Sequence, residues 1–320
     1  MWTFNPIYKS TIWGGDSIVP YKHDTTRQTH IGESWEISGV AGSESVVADG
    51  PDAGMTLGKL VEKYGADLMG ERNFAKFGTR FPLLIKFIDA RADLSVQVHP
   101  DDTLAHKRGM DNGKTEMWYV VKADKGATLA NGFKAPVDPR DYPELVESGK
   151  IEDVLNFVEI HPGDVFFIPA GRVHAIGAGS FVAEIQQTSD ATYRIYDYRR
   201  KDKDGHEREL HTELAVAAIN FNDTDGSAVK YKPTPDIPVN LVKSPFFTTN
   251  LLQIDEDLLR DYSELDTFMV IIATEGEGEI SCGDQTIILR EGHTVLVPAS
   301  ATGIHIKPIG KLTLLETYIA

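Results

Sequence analysis

The stretch Gly163-Asp-Val-Phe-Phe-Ile-Pro169-Ala-Gly171-Arg-Val-His174 decides the fold of this chain. A turn glycine precedes a short apolar strand, a proline ends that strand, and a second glycine stands before a histidine. The pattern recurs 129 positions later as Gly292-His-Thr-Val-Leu-Val-Pro298-Ala-Ser300-Ala-Thr-Gly303. The repeat predicts two similar β units, and Gly303 of the second stands where the first has His174.

The first copy resembles the second conserved motif of the cupin family, in which a glycine, a proline, a further glycine and a histidine recur at fixed spacing. This resemblance implies jelly-roll barrels with a metal site inside. The sequence therefore predicts a mainly β fold with two cupin-like jelly-roll barrels and a few short helices. Because Gly303 has no side chain to bind a metal, we expect the second barrel to lack metal ligands.

A proline-rich segment, Lys230–Pro238, divides the chain. Three prolines within nine residues are typical of a linker, and strand-like pattern resumes after them. We therefore predict a catalytic cupin domain over residues 1–235, which also carries the short helical segments, and a C-terminal cupin-like domain over residues 236–320.

Short runs of β-branched and aromatic residues between turn residues predict most of the strands. The predicted strands are Phe81–Ile88, Ser95–His99, Glu116–Val121, Val165–Ile168, Phe181–Gln187, Phe268–Ala273, Thr286–Leu289 and Thr294–Val297. Helical patterns are sparse: one follows Thr56, a second spans Arg140–Phe157 as one or two short helices, and a third spans Thr212–Asn220.

The composition excludes several classes of protein. The 320 residues carry 32 Lys and Arg against 48 Asp and Glu, a formal net charge of −16, which disfavours nucleic acid and anionic membranes as partners. The single cysteine, Cys282, excludes a disulfide framework and a Cys-rich metal site. No run of about 18 apolar residues and no secretory leader is present, so we expect a cytoplasmic protein.

Four side chains predict a metal site in the first barrel. Gln97 and His99 stand two apart in Ser95-Val-Gln-Val-His-Pro100, so on a strand they share one face. Glu116 begins another predicted strand, and His174 follows the Pro-Ala-Gly turn. Zinc accepts such nitrogen and oxygen ligands, so we predict one Zn²⁺ per chain bound by these four residues. Gln97 is the least usual of the four ligands. Alternatively, it does not bind the metal itself but supports the residues that do.

The chain also resembles type I mannose-6-phosphate isomerases (phosphomannose isomerases) of the short bacterial form. The resemblance covers residues 12 to about 219, in order. The blocks that carry it are Ile12–Gly15, Gly32–Glu36, Phe81–Ala90, Leu94–Asp102, Lys114–Trp118, Pro169–His174 and Gln187–Asp197. It implies a zinc enzyme that interconverts mannose 6-phosphate and fructose 6-phosphate, with the same four zinc ligands.

The resemblance also implies roles for further residues. The family's catalytic arginine falls on Arg194, its active-site lysines fall on Lys86 and Lys114, and an acidic residue of its pocket falls on Glu184. We interpret Arg194 and Lys114 as catalytic, Lys86 as substrate-binding, Glu184 as the candidate base and the Ser95 hydroxyl as a phosphate donor. Strand alternation does not show which face of the Glu184 strand points inward.

The predicted reaction moves a carbonyl group between C1 and C2 through an enediol, which requires a base and a cation near the oxygen. The predicted partner is a small phosphorylated sugar. Two other functions are compatible with the sequence. One is a sugar-phosphate-binding cupin regulator without catalytic activity. The other is a cupin oxygenase with iron, which usually needs more histidines than are available here.

Overall fold

The computed structural model describes residues 1–201 and 204–320, and antiparallel β-sheets dominate them. The strands are β1 (Phe4–Asn5), β2 (Ile7–Gly15), β3 (Ile31–Ile37), β4 (Val46–Val47), β5 (Leu83–Ala90), β6 (Val96–Val98), β7 (Glu116–Ala123), β8 (Thr128–Phe133), β9 (Leu155–Glu159), β10 (Val165–Ile168), β11 (His174–Ile176), β12 (Ser180–Gln187), β13 (Tyr193–Tyr196), β14 (Val239–Lys243), β15 (Thr248–Ile254), β16 (Leu258–Asp261), β17 (Met269–Cys282), β18 (Gln285–Arg290), β19 (Thr294–Val297) and β20 (Gly303–Tyr318). The predicted mainly β fold class is confirmed.

Short helices connect the strands. They are α1 (Ile18–Tyr21), α2 (Leu57–Tyr64), α3 (Ala66–Met69), α4 (Glu71–Phe77), α5 (Asp102–Lys107), α6 (Tyr142–Glu147), α7 (Ile151–Val154) and α8 (Thr212–Val216). Helix α2 begins where predicted, and the Thr56 hydroxyl caps it by accepting a hydrogen bond from the Lys59 amide. No helix of the described ranges is long and apolar enough to cross a membrane.

Two helix predictions were wrong in part. The segment Arg140–Phe157 forms α6 and α7, but its last residues enter strand β9, because they pair with β8 from Leu155 onward. The helix predicted to reach Asn220 ends at Val216, and the following residues turn back so that the Asn220 amide donates to the Gly171 carbonyl. In both places tertiary pairing overrides local helical pattern.

Two sheets face each other in the N-terminal part. One has six strands in the order β10-β7-β12-β5-β2-β3, with an additional β5–β3 pairing, and the other has five in the order β13-β6-β11-β8-β9. Apolar side chains of both sheets, such as Trp118 and Leu129, form one buried cluster between them. Other side chains on this inner surface are polar and form the site described below.

Both sheets are also covered on their outer faces. Helices α6 and α8 pack on the five-stranded sheet, against residues such as Val96 and Val98. The C-terminal strands β14–β20 form a third, seven-stranded sheet. Its apolar side chains, such as Val270, share a core with outer residues of the six-stranded sheet, such as Phe87. The central strands β5 and β12 of the six-stranded sheet are therefore buried on both faces.

The predicted linker lies where the chain changes partners. Near its start, the Tyr231 hydroxyl donates to the Gly163 carbonyl of the N-terminal part at 2.5 Å. Near its end, the Asp236 amide donates to the Gln253 carbonyl of β15 at 2.7 Å. These contacts agree with a change of partner between residues 231 and 236, while the boundary at residue 235 stays a prediction.

Candidate metal centre and active site

One row of residues crosses the inner face of the five-stranded sheet. In the pairing of β6 with its neighbours, Gln97 stands opposite His174 of β11 on one side and opposite Arg194 of β13 on the other. Directly opposed residues of an antiparallel pair point to the same face. The alternating valines of β6 take the outer face, so three predicted site residues from three strands lie side by side.

His99, Glu116 and His174 come together in the interior between the two sheets. Their ligand atoms lie within 4.8 Å of one another, and all three residues are buried. Glu116 links the two histidines: its Oε1 is 3.4 Å from His174 Nε2, and its Oε2 is 3.5 Å from His99 Nε2. Two imidazoles and a carboxylate converging in this way could hold a metal ion.

Backbone carbonyls orient both imidazole rings. His99 Nδ1 is 2.8 Å from the Ala191 carbonyl oxygen, and His174 Nδ1 is 2.9 Å from the Arg172 carbonyl oxygen. When each Nδ1–H donates to its carbonyl, each Nε2 presents a lone pair to the centre, which is the usual arrangement of metal-binding histidines. His174 Nε2 and Glu116 Oε1 are buried without a hydrogen-bond partner. This donor set fits a divalent cation.

The electrostatics of the centre agree with that fit. Burial lowers the pKa of His174 to about 3, and burial together with the Lys114 charge lowers the pKa of His99 well below its usual range. Both rings are therefore neutral near pH 7 and free to bind a metal. Burial, assisted by the charge of Glu184, raises the pKa of Glu116. A cation beside Glu116 would favour its ionised form.

Lys114 is the positive charge next to this cluster. Its ammonium group donates to Glu116 Oε2 and lies 3.0 Å from His99 Nε2. The lysine is almost fully buried, with 4% of its surface exposed. The predicted active-site lysine therefore lies against two of the three clustered ligands.

A second charged group lies on the inner face of the six-stranded sheet. Glu184 of β12 stands opposite Lys86 of β5 and opposite Trp118 of β7. Lys86 Nζ is 3.2 Å from Glu184 Oε1, and the Trp118 indole N–H donates to Glu184 Oε2 at 2.9 Å. Since the Trp118 ring also contacts the His174 ring, at 5.4 Å between centroids, Glu184 points inward. The structure thus decides the orientation that strand alternation left open.

The charges of this second group depend on one another. Burial alone would raise the pKa of Glu184, but Lys114 and Lys86 outweigh burial and lower it. Burial likewise opposes the charge on Lys86, but Glu33 and Glu184 raise its pKa. Glu184 and Lys86 are therefore both ionised at neutral pH, as a buried pair requires.

The remaining predicted residues lie beside the row on β6. Arg194 donates from Nη1 to the Glu209 carbonyl at 2.8 Å, whereas its buried Nε has no hydrogen-bond partner. Burial lowers the pKa of Arg194, which still leaves it charged at neutral pH. Ser95 is buried and directly precedes β6, two residues before Gln97.

Sequence reasoning missed three inward-facing neighbours of the Lys86–Glu184 pair. Glu33 Oε2 lies 3.4 Å from Lys86 Nζ, the Trp35 ring centroid lies 5.0 Å from it, and Trp118 holds Glu184. Glu33 and Trp35 stand two apart on β3, so the same i, i+2 rule that joined Gln97 to His99 would have placed them on one face. This spacing is visible in the sequence, but Glu33 and Trp35 do not form a metal-ligand pattern, so nothing singled them out.

Arg172 fixes the turn that carries His174. Its guanidinium donates twice to the Asp223 carboxylate, from Nε at 2.7 Å and from Nη2 at 2.8 Å, and once to the Phe167 carbonyl. The carbonyl of the same residue orients the His174 ring. Asp223 therefore positions a metal-site residue that it does not touch.

A cavity of about 630 Å³ is bordered by residues 187–191, where the chain leaves β12. Gly39, Phe81, Asp190, Ala191 and Phe246 are among its lining residues. None of the predicted site residues lines it. The cavity shares only Ala191 with the groups that orient the metal centre.

Comparison with known proteins identifies the family. The family described as "Phosphomannose isomerase type I, catalytic domain" matches residues 1–144. A Bacillus subtilis mannose-6-phosphate isomerase is 34% identical over 299 residues, covering 92% of each chain. This chain belongs to the mannose-6-phosphate isomerase family. A Streptococcus mutans mannose-6-phosphate isomerase, 33% identical over 90% of this chain and 89% of its own, agrees.

Solved structures give the same result for the fold. A crystal structure of a B. subtilis mannose 6-phosphate isomerase superposes with a TM-score of 0.88 at 32% identity, covering 99% of this chain and 98% of the other. A putative mannosephosphate isomerase from Archaeoglobus fulgidus, at 24% identity and a TM-score of 0.79, shares the fold. The predicted family and enzyme class are confirmed: this family member is an isomerase with a cupin-type fold.

Proposed function

We propose that this protein is a zinc-dependent aldose–ketose isomerase that interconverts mannose 6-phosphate and fructose 6-phosphate through an enediol. The observation that carries this proposal is the buried His99, Glu116 and His174 cluster beside the ionised Glu184–Lys86 pair. A sugar carbonyl near the cluster would meet both a cation site and a base. Family membership favours this isomerase over the oxygenase and over the binding protein without catalytic activity.

Gln97, His99, Glu116 and His174 would hold the metal in this proposal. When bound, zinc supplies a Lewis acid that polarises a sugar oxygen. Zinc suits two imidazoles and one carboxylate, and the Gln97 side chain faces the same interior from the strand position opposite His174. The remaining chemistry falls to the other inward-facing side chains.

Glu184 is our candidate for the proton shuttle between C1 and C2. It is ionised, and so it can accept a proton without first losing one. A lowered pKa also makes it a weak base while Lys86 is close to it. A substrate oxygen that accepts a hydrogen bond from Lys86 would draw the lysine away and restore basicity to the carboxylate. Lys86 would thus both bind substrate and adjust the base.

Arg194 and Lys114 would stabilise negative charge as it develops on the substrate oxygens. Arg194 carries a permanent charge beside Gln97 and has a buried Nε without a partner, so it can donate to an enediolate oxygen. Lys114 can donate to an oxygen next to the metal and assist ring opening. The Ser95 hydroxyl is a further donor for the substrate.

Metal analysis combined with a coupled assay for fructose 6-phosphate tests this function. We expect about one zinc per chain and turnover of mannose 6-phosphate that a chelator removes and zinc restores. His174→Ala should lose both metal and activity, because it removes a buried donor whose orientation is fixed. The control, His161→Ala, changes an exposed histidine and should keep both. Full activity in a preparation free of metal would contradict the proposal.

A further inference from the structure

Lys9 lies on the inner face of the six-stranded sheet, at the far side from the metal centre. It is on β2 and stands opposite Glu33 of β3, while Trp35, two residues along β3, stands opposite Lys86. Opposed residues share a face, so Lys9 faces the interior with Lys86. Strands β5 and β12 lie between β2 and β7 in the sheet order, and at the position of Lys9 strand β3 also lies between β2 and β5.

The ammonium group of Lys9 contacts a hydroxyl group and an aromatic ring but no acidic side chain. Its Nζ donates to the Ser43 hydroxyl at 3.0 Å and lies 4.7 Å from the centroid of the Trp35 ring. Among residues 1–201 and 204–320, no carboxylate oxygen lies within 4.0 Å of it. The carboxylate of Glu33 turns away, to the Trp35 indole N–H at 2.5 Å and to Lys86.

Three buried cations of this part of the molecule have acidic partners, whereas Arg194 donates to a backbone carbonyl. Lys86 lies between Glu33 and Glu184, Lys114 donates to Glu116, and Arg172 is paired with Asp223. A partly buried, uncompensated ammonium group is unusual in a chain of net charge −16. It creates a local positive potential where the rest of the molecule is negative.

We propose that Lys9, supported by the Ser43 hydroxyl and the face of Trp35, binds the phosphate group of the substrate. This inference rests on the proposed function, because it assigns one end of the same sugar phosphate. The phosphate on C6 is at the opposite end of the hexose from C1 and C2, which react. A substrate whose C1 and C2 lie near the metal centre would extend past Lys86 towards Lys9. In this assignment Lys9 takes the phosphate, and the Ser95 hydroxyl, predicted above as a phosphate donor, donates to another oxygen of the substrate.

The chemistry of Lys9 suits this role. A lysine ammonium binds phosphate as a point charge with three donors, and only one of these is committed to Ser43. The Trp35 ring contacts both Lys9 and Lys86, and so it fixes the distance between the phosphate end and the reacting end. A neutral sugar would gain nothing from Lys9, so this residue would select phosphorylated substrates.

Replacing Lys9 tests the assignment. In Lys9→Met we expect the KM for mannose 6-phosphate and the inhibition constant of inorganic phosphate to rise by about 10- to 100-fold, as for loss of one hydrogen bond to a charged group. The kcat should change by less than about threefold, since Lys9 is remote from C1 and C2. Lys9→Arg keeps the charge and should recover most of the affinity. Lys125→Met, an exposed lysine, is the matched control.

Calorimetric titration of the zinc-loaded protein with inorganic phosphate separates this inference from the proposed function. If the wild type binds phosphate, Lys9→Met does not, and neither turns over mannose 6-phosphate, then the isomerase assignment fails while Lys9 remains an anion site. If the wild type is active and a folded Lys9→Met variant keeps the wild-type KM and phosphate inhibition, the role of Lys9 is wrong.

Discussion

At the scale of single residues, function depends on which charges are compensated and which are not. Glu116 and Glu184 share the lysines Lys86 and Lys114, and all four side chains are buried. Each charge there is tolerated only because another lies close to it, so removal of one leaves its partner buried and unpaired. Arg194 differs, because its buried Nε has no hydrogen-bond partner in the protein. Its charge is therefore available to a ligand.

Arg194→Lys should separate charge from geometry. Lysine keeps the positive charge but loses the planar set of donors, so we expect kcat to fall by roughly 10²–10³-fold while zinc content and fold stay unchanged. The coupled assay measures kcat, metal analysis measures the zinc content, and circular dichroism tests whether the fold is unchanged. Arg140→Lys, at an exposed arginine, is the control. Wild-type turnover in Arg194→Lys would remove this residue from the mechanism.

At the scale of secondary-structure elements, loops and helices near the N-terminus are joined by buried polar contacts. Asp52 is the clearest case, since its carboxylate accepts hydrogen bonds from the Trp2 indole, the Lys63 ammonium and the Tyr64 hydroxyl. These contacts tie the start of the chain to α2. Because the Trp2 amide also bonds to Leu296 of β19, Asp52 helps to hold the C-terminal sheet.

Asp52→Asn should destabilise the protein in a pH-dependent way. Burial alone would raise the pKa of Asp52, but its hydrogen bonds outweigh burial and lower it. A lowered carboxyl pKa adds stability above the unfolded value, near 3.9, and this stability is lost as pH falls through the folded value. We expect the variant to lose about 1–3 kcal/mol of unfolding free energy at pH 7.

Urea denaturation at several pH values measures this effect. The stability difference between the wild type and Asp52→Asn should be constant from pH 7 to about 5 and should shrink below about pH 4. Asp284→Asn, in an exposed turn, should show no such difference. An Asp52→Asn protein as stable as the wild type at pH 7 would show that the three hydrogen bonds contribute nothing net.

At the scale of the whole molecule, the C-terminal sheet covers an apolar face of the catalytic part. Phe81 and Phe268 meet across this contact with ring centroids 4.5 Å apart. The buried Lys22 ammonium bonds to both Glu36 and the Gly292 carbonyl. Without the C-terminal sheet, the outer face of the six-stranded sheet would be exposed, and Lys22 would lose one of its acceptors. The sheet that carries Lys86 and Glu184 therefore depends on the C-terminal part for its burial.

Deletion of residues 240–320 should make the remainder aggregate or unfold, because it exposes the core that the two parts share. Size-exclusion chromatography and thermal denaturation measure this. His305→Ala is the matched control: His305 is partly exposed and pairs with Asp257 at 3.4 Å, so metal content and kcat should not change. A truncated protein that stays monomeric, soluble and fully active would show that the C-terminal sheet is dispensable.

The sequence alone determined the β fold, the family and the metal-site candidates, because these depend on local rules. A turn glycine, a strand-ending proline and an i, i+2 spacing act within a few residues. In the structure, His99 and His174 meet Glu116 as that reasoning predicts. Helix α2 was predictable for the same reason, since Thr56 and the periodic leucines lie within one short segment.

Only the tertiary structure decided which face of β12 points inward. Every residue of β5 and β12 is buried, since one face meets the five-stranded sheet and the other meets the C-terminal sheet. Polar and apolar alternation marks an inner face only where the other face meets water. The inward positions of Glu184 and Lys9, and the pairing of Leu155–Glu159 as a strand, therefore depend on neighbours that are distant in the sequence.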